Sequence, residues 1–147
     1  MISITRQFEW DMGHRVTNHM SLCKNPHGHR YRLLIEISGD IKNKNNEPDQ
    51  GMVLDFGDLK GLINEEIVDK LDHSFMYWDK DDVMSDFAKN NKELKFIETS
   101  FVPTAECIVE YIAITLQKLF ENKLPGIALE SATLFETPNC SAKWSRD

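Results

Sequence analysis

The sequence predicts an α+β protein in which an antiparallel four-stranded sheet carries two helices on one face. Apolar residues alternate with polar ones near both ends of the chain, which indicates strands. In the middle they recur at spacings of three and four, which indicates helices. No linker, repeat or low-complexity segment interrupts the 147 residues. We therefore expect one domain over residues 1–147, in the order strand, strand, helix, helix, strand, strand.

Two strands are predicted at the start of the chain. The first covers residues 2–10, and its apolar residues share one parity: Ile2, Ile4, Phe8 and Trp10. The second is expected over residues 29–41, with one apolar face: Tyr31, Leu33, Ile35 and Ile37. Residues 42–51, which are rich in asparagine, then predict a polar loop.

Two helices are predicted in the middle of the chain. The first covers residues 55–71, where Asp55 is a plausible N-cap and the apolar stripe is Leu59, Leu62, Ile63, Ile67 and Leu71. The second follows Pro103, with Thr104 as its N-cap and Pro125-Gly126 at its end. Residues 78–99 between them are charged and irregular, and we expect a long excursion with one short helix.

The chain closes with two predicted strands, over residues 127–136 and 140–145. A four-stranded sheet of this kind leaves exposed edges, and one of its faces can remain uncovered. Proteins commonly cover such surfaces by assembly, so we expect a homo-oligomer.

Composition excludes two classes of partner. A net charge of −7 argues against coating nucleic acid, because basic surface dominates that affinity. No apolar run reaches 18 residues, so no membrane span is expected. The first residues lack the apolar core of a secretory signal, and three sparse cysteines do not suggest a disulfide framework. These observations favour reduced thiols and the cytoplasm.

A basic island interrupts this acidic sequence. From Met12 to Ile35 the chain holds no Asp or Glu, whereas it holds four cations: Arg15, Lys24, Arg30 and Arg32. Over so short a window this distribution can arise by chance. The functional alternative is a site that attracts a small anionic ligand.

Three histidines surround the island's centre. His27 and His29 are two residues apart at the start of a strand, so their side chains project from the same side. His14 ends the preceding strand, whose hairpin partner begins at the other two. Three neutral imidazoles and an open position are typical of catalytic zinc. The alternative is that these are ordinary hydrogen-bonded strand residues.

Cys23 and the pair Asp72-His73 are further candidates for chemistry. Cys23 lies four residues before His27 and beside Lys24, and a zinc ligand, a catalytic base and an inert buried thiol are all open to it. Asp72 can orient His73 and stabilise its charged form, provided that the helix has ended before them. Otherwise they are a capping aspartate and a surface histidine.

Two glutamates are also candidates. Glu136 ends an apolar strand, where a carboxylate is out of pattern. Either the strand leaves the core there, or Glu136 binds a ligand with paired N–H donors. Glu106 is a second candidate, although a helix also favours an acid in its first turn.

Taken together, these motifs resemble the family of 6-pyruvoyl-tetrahydropterin and 6-carboxytetrahydropterin synthases over essentially the whole chain. The matching residues occur in the family's order: His14, Cys23-x-x-x-His27-Gly28-His29, Leu71-Asp72-His73, Pro103-Thr104-Ala105-Glu106 and Phe135-Glu136-Thr137. Each motif is weak alone, and the combination is specific.

The resemblance implies a tunnelling fold, ββααββ, whose sheets join around a barrel, usually in a hexamer built as a dimer of trimers. It implies a pterin triphosphate substrate, 7,8-dihydroneopterin triphosphate, bound between subunits. By resemblance, His14, His27 and His29 hold zinc. Cys23 is similar to the family's catalytic base and Asp72-His73 to its partner relay. Glu136 resembles the pterin anchor, and Glu106 a secondary contact.

The three-residue spacing between Cys23 and the His-Gly-His motif resembles the bacterial 6-carboxytetrahydropterin synthase branch. That branch is a lyase that releases acetaldehyde and triphosphate and feeds 7-deazaguanine and queuosine synthesis. The alternatives are a 6-pyruvoyl-tetrahydropterin synthase and a non-catalytic pterin- or metal-binding relative. Cys107 stands where the family usually has asparagine, and residues 78–99 are longer than in compact members.

Overall fold

The computed structural model describes residues 1–147. Six strands form one sheet: β1 (Ile2–His14), β2 (His27–Gly39), β3 (Ser74–Trp78), β4 (Phe96–Thr99), β5 (Ala128–Thr137) and β6 (Cys140–Ser145). Their order across the sheet is β4-β3-β1-β2-β5-β6. The two long strands β1 and β2 therefore lie at the centre of the sheet.

The long hairpin of β1 and β2 confirms the first two predicted strands. The register runs without a break from Ile2 opposite Gly39 to His14 opposite His27. β1 continues past the alternating stretch of residues 2–10 to His14, the end expected from the histidine motif, because Met12 and His14 continue the parity of the buried Trp10. We call the face that carries these buried side chains the inner face of the sheet.

The prediction of four antiparallel strands is wrong. The sheet has six strands, and the two extra ones lie between the two long helices: β3 pairs in parallel with β1, and β4 pairs in parallel with β3. These strands have five and four residues, too few to establish a clear period-two pattern. The excursion over residues 78–99 therefore contains β4 as well as the helix α3 described below.

The helices begin and end close to the predicted residues. The first is continuous from α1 (Phe56–Ile63) through a π-helical turn (Asn64–Val68) to α2 (Asp69–Leu71). A short helix follows, α3 (Asp82–Asn90), and then the long α4 (Ala105–Lys123). Their N-caps are Asp55, Asp81 and Thr104, each of which accepts a hydrogen bond from a backbone N–H of the first turn.

A core of 22 buried residues joins the inner face of the sheet to the helices. The strands contribute side chains such as Tyr31, Leu33 and Ile35, each fully buried. The first helix contributes the predicted stripe through Leu59, Ile63, Ile67 and Leu71, and α4 contributes a second stripe. None of these helices has the length and apolarity that would be needed to cross a bilayer.

Candidate active site

The candidate site lies at one end of the inner face, where β1, β2 and β5 are neighbours. His14 is the last residue of β1, and His27 opposite it is the first residue of β2. His29 lies two residues further along β2 on the same face. Glu136 comes from β5, two residues after the buried Leu134. Strand alternation therefore directs all four side chains to one side.

The three imidazoles converge. One ring nitrogen of each histidine lies within 4.8 Å of one from each of the others. The ring centroids are 4.6 Å apart for His14 and His27, 4.9 Å for His27 and His29, and 5.1 Å for His14 and His29. Three nitrogen donors at this separation can bind one ion.

Backbone carbonyls set the tautomers of two of these rings. His14 Nδ1 donates to the Pro103 carbonyl at 2.6 Å, and His27 Nδ1 donates to the Asn25 carbonyl at 2.7 Å. Each ring therefore leaves the lone pair of Nε2 free. His14 is only 2% exposed, and its Nε2 is buried without a hydrogen-bond partner. These residues fit zinc, because a histidine ligand typically gives its second N–H to a carbonyl or carboxylate.

The electrostatics favour neutral rings. Burial lowers the pKa of His14 to about 4; the Pro103 carbonyl opposes this shift, and the neighbouring His27 and His29 add to it. The pKa of His29 is also lowered, by burial and by His27. Neutral imidazole is the form that ligates a metal, so the rings of His14 and His29 need not lose a proton at pH 7 before binding.

Glu136 lies at the edge of this cluster. The β5–β6 register shifts between Phe135 and Thr137, so Glu136 occupies a bulge, a feature that can re-aim a side chain. Its Oε1 lies 3.8 Å from His14 Nε2. Burial raises the pKa of Glu136, the carboxylate of Glu106 raises it further, and His27 opposes both. Glu106 itself is exposed, in the first turn of α4.

Cys23 projects from a 3₁₀ turn (Leu22–Lys24) just before β2. The cysteine is exposed in the single chain and not buried in its core. It does not belong to the cluster of three histidines that could share an ion. The backbone holds the turn, because the Val16 N–H donates to the Cys23 carbonyl at 2.8 Å.

Asp72 and His73 form a direct pair because the helix ends at Leu71 and His73 has a positive φ of 58°. His73 Nδ1 lies 2.8 Å from Asp72 Oδ2, and Asp72 Oδ1 accepts from the Asp11 N–H at 3.0 Å. Burial opposes ionisation of Asp72, but the Asp11 amide, His73 and Lys95 outweigh it, so the pKa of Asp72 is lowered. Lys95 Nζ also donates to the Asp72 carbonyl at 2.7 Å.

This pair does not lie on the face that carries the three histidines. The His73 N–H donates to the Asp11 carbonyl, and the next residue of β3 is in register with Met12 of β1. His73 therefore stands beside Asp11, whose exposed side chain alternates away from the inner face. The potential metal ligands form two separate groups, one of His14, His27 and His29 and one of Asp11, Asp72 and His73.

Most cations of the basic island are already paired. Arg15 binds Asp81 through Nε at 2.5 Å, and Arg30 binds Asp11 at 3.0 Å. The Arg32 guanidinium stacks 4.1 Å from the centre of the Phe135 ring. Among these four cations, Lys24 is the one that makes neither an ion pair nor a ring contact. The island's free positive charge is thus smaller than the sequence indicates.

Sequence reasoning missed two residues that shape the site. Tyr31 packs edge-on beside His14 and His29, with ring centroids 6.0 Å and 5.6 Å away. Because Tyr31 is two residues after His29 on the same strand, the sequence could have placed it on the face of the histidines. Asp81 is 1% exposed and binds the segment before Cys23. Its position as the N-cap of α3 is a local feature, but no local pattern indicates its bond to the distant Arg15.

Comparison with known proteins places the fold and the motifs in one class, the pterin synthases. The profile of the 6-pyruvoyl tetrahydropterin synthase family matches residues 3–147. The chain therefore belongs to the 6-pyruvoyl tetrahydropterin synthase family, as the resemblance predicts.

Two similar proteins carry the name of one branch of this family. The chain is 34% identical over 140 residues to a 6-carboxy-5,6,7,8-tetrahydropterin synthase of Haemophilus influenzae, covering 94% of each protein. It is 36% identical over 141 residues to the enzyme of the same name from Rickettsia conorii, covering 95% of this chain and 97% of that one.

Solved structures bear out the predicted tunnelling fold. An uncharacterized protein from Wolinella succinogenes superposes with a TM-score of 0.81 at 22% identity, over 99% of this chain and 98% of that one. The 6-pyruvoyl tetrahydropterin synthase of Caenorhabditis elegans superposes with a TM-score of 0.69 at 23% identity, over 99% and 96% of the two chains.

Proposed function

We propose that this protein converts 7,8-dihydroneopterin triphosphate to 6-carboxy-5,6,7,8-tetrahydropterin, with release of acetaldehyde and triphosphate. This reaction makes it a zinc-dependent lyase of the 7-deazaguanine and queuosine route. The observation that carries the proposal is the convergence of three imidazoles, one with a buried unpartnered Nε2, beside the carboxylate of Glu136. The names of the relatives from Haemophilus influenzae and Rickettsia conorii support this branch.

In this proposal His14, His27 and His29 hold the zinc. An ion held by these three rings would supply a Lewis acid for the substrate's side-chain hydroxyls, which would make the neighbouring C–H bonds more acidic. The chain prepares its own donors, since the Pro103 and Asn25 carbonyls orient the rings of His14 and His27.

Cys23 is proposed as the base that takes a proton from the substrate's side chain. Its thiol is exposed at the end of the sheet where the histidines lie, so it is accessible to a small molecule. A thiol is a stronger acid than an alcohol, so a thiolate base is easier to form than an alkoxide.

Asp72 and His73 are proposed as the second proton-transfer unit. His73 Nδ1 bonds to Asp72, which leaves Nε2 as the atom that accepts or returns a proton. Because the pair lies on the opposite face of the sheet, we propose that it serves the site of a neighbouring copy. This arrangement agrees with the substrate position between subunits that the family resemblance implies.

Glu136 is proposed to anchor the pterin through the two N–H donors of its guanidine-like edge. Burial and Glu106 raise the pKa of this carboxyl in the free protein. Two N–H donors would favour the ionised form and reverse that shift, so the interaction selects ligands with paired donors. For the triphosphate, Lys24 is the candidate cation that has no carboxylate partner, and it lies next to Cys23.

The direct test supplies the zinc-loaded protein with 7,8-dihydroneopterin triphosphate and measures acetaldehyde, triphosphate and the mass of the pterin product. The proposal predicts acetaldehyde and the 6-carboxy product. A 6-pyruvoyl product without acetaldehyde would assign the other branch. Zinc-loaded protein that binds the pterin and leaves it unchanged would contradict an enzymatic role.

Cys23→Ala separates catalysis from binding. We expect zinc content and pterin affinity to stay near those of the wild type while turnover falls by about two orders of magnitude or more. Cys140→Ala is the matched control, because Cys140 is also an exposed free thiol and has no proposed role. Equal turnover in Cys23→Ala and the wild type would contradict the assignment of the base. The hexamer and the cytoplasmic location stay predictions.

A further inference from the structure

Asp81 is the most deeply buried carboxylate of the chain, with 1% of the residue exposed. It accepts two hydrogen bonds from Arg15, from Nε at 2.5 Å and from Nη2 at 2.6 Å. It also accepts from the Thr17 hydroxyl at 2.9 Å and from the Met84 N–H at 3.2 Å. Both oxygens are therefore used, in the bidentate geometry that favours an arginine–carboxylate pair.

Arg15 connects this carboxylate to the turn that carries Cys23. Its third nitrogen, Nη1, donates to the Lys24 carbonyl at 3.3 Å. One residue later, the Val16 N–H donates to the Cys23 carbonyl at 2.8 Å. The segment from Arg15 to Lys24 is thus closed at its base by two contacts, of which the one through Arg15 leads back to Asp81.

The remainder of this segment has little else to hold it. Met20 is 97% exposed and Leu22 is 82% exposed, and neither contributes to the core. The 3₁₀ turn buries no residue and has no side-chain cap. Its position therefore depends on a few bonds: the backbone bonds at its base, the local bond from the Asn25 side chain to the Leu22 carbonyl, and the bonds from Arg15 and Thr17 to Asp81.

We propose that Arg15 and Asp81 are positioning residues for Cys23, which together fix the thiol-bearing turn to the N-terminus of α3. The proposal rests on the proposed function, because it concerns how the proposed base is held beside the histidines. It also assigns a role to the excursion over residues 78–99, which supplies Asp81.

A purely structural role would be the alternative, since Asp81 also caps α3. A structural role and a positioning role predict different effects of a mild substitution. If the pair only stabilises the fold, weakening it lowers the melting temperature and leaves the turnover of the folded protein unchanged. If it positions Cys23, the folded variant loses kcat, since small displacements of a reacting group are costly.

The test compares Arg15→Met and Arg15→Lys with the wild type at a temperature where all are folded. In Arg15→Met we expect kcat to fall about tenfold to a hundredfold, with KM within about twofold and zinc content unchanged. Arg15→Lys retains the charge and loses the bidentate geometry, so it should recover part of the lost kcat. Asp81→Asn changes the other partner of the pair and keeps an oxygen for the α3 cap, so it should lower kcat as Arg15→Met does.

Hydrogen–deuterium exchange supplies a readout that does not need turnover. Exchange over residues 15–25 should speed up in Arg15→Met and in Asp81→Asn, while the core strands keep their protection. The control is Asp49→Asn, which removes the exposed Lys42–Asp49 pair in the loop before α1 and should change neither exchange at residues 15–25 nor kcat.

Unchanged kcat in folded Arg15→Met, with unchanged exchange over residues 15–25, would overturn the proposal. If the wild type itself has no turnover, the proposed function fails, and the exchange experiment still decides whether Arg15 and Asp81 hold the turn. Faster exchange with full kcat would also overturn it, because the turn would then move without affecting catalysis.

Discussion

At the scale of residues, His14 is the most informative side chain. An imidazole nitrogen that is buried without a partner costs free energy, about 1–3 kcal/mol for an unsatisfied polar group. His14 Nε2 is in this state, while its Nδ1 is satisfied by the Pro103 carbonyl. A bound ion would remove this cost, so the free chain is organised for a ligand that it does not itself supply.

Zinc binding should depend on each of the three histidines and not on other histidines nearby. We expect His29→Ala to weaken zinc affinity by about a hundredfold or more, since removing even an outer hydrogen-bond partner of a ligand typically costs tenfold to a hundredfold. Zinc titration calorimetry measures the effect. His19→Ala is the control, because its ring bonds to Ser21 in the exposed loop. Equal affinity in the two variants would contradict the assignment of the metal site.

At the scale of elements, the first helix shows how a local irregularity serves packing. Its buried residues Leu59, Ile63, Ile67 and Leu71 are four apart, and on an α-helix such a series drifts by about 40° at each step. The π-helical turn at Asn64–Val68 is wider and slows this drift. The stripe therefore stays against the sheet, and the end of the helix places Asp72-His73 immediately before β3.

The N-terminus of α3 should make the stability of the protein pH-dependent. Burial opposes ionisation of Asp81, but the bonds from Arg15, the Met84 N–H and Thr17 outweigh it and hold the pKa of Asp81 below its ordinary value. A carboxyl whose pKa is lower in the folded state stabilises the fold above its unfolded pKa, and this contribution is lost as the pH falls through the folded pKa.

Asp81→Asn should therefore lower the free energy of unfolding by about 2 kcal/mol at pH 7. Urea denaturation of both proteins between pH 7 and pH 3 measures the difference. We expect it to be constant above about pH 5 and to shrink as the acid range is entered. A difference that grows toward low pH would contradict the sign of this argument.

At the scale of the whole molecule, the sheet separates the two proposed halves of the site. The histidines lie on the inner face, and Asp72-His73 stands beside Asp11, whose side chain points away from that face. A single copy thus carries both halves without joining them. This separation, together with exposed sheet edges at β4 and β6, favours assembly in which two copies complete one site.

Mixed oligomers test this arrangement. Cys23→Ala and His73→Ala should each be nearly inactive alone, whereas co-expressed chains should regain about a quarter of wild-type turnover. Half of the chains supply an intact thiol, and half of the neighbouring chains supply an intact histidine. Absence of any recovery in oligomers that contain both variants would show that each site is built within one copy.

Removal of zinc should abolish the catalytic activity of the protein without unfolding it. The 22 buried apolar side chains of the core pack without any contribution from an ion, so we expect the fold to persist when zinc is removed. We expect a chelator to abolish turnover, to leave the far-UV circular dichroism unchanged and to lower the melting temperature by about 5–10 °C. Unfolding on chelation would instead indicate a structural zinc site.

Local patterns predicted the long elements and most of the candidate site. Period two located β1 and β2, and the same alternation placed His27 and His29 on one face. It failed for β3 and β4, because four or five residues carry too little pattern and these strands depend on pairing with β1. In the same way, the pairing of Asp81 with Arg15 could not be recognised, because the two residues are 66 positions apart.

By itself the sequence determined the family and the positions of the long strands and helices, and it singled out the residues proposed for the chemistry, because these depend on residue type and short spacing. Only the tertiary structure decided that the three imidazoles converge, that Glu136 joins them at a bulge and that Asp72-His73 faces the other way. Such relations arise from strand register and from the burial of distant segments against one another. Short-range periodicity cannot predict them, because it depends only on residues that are close in the sequence.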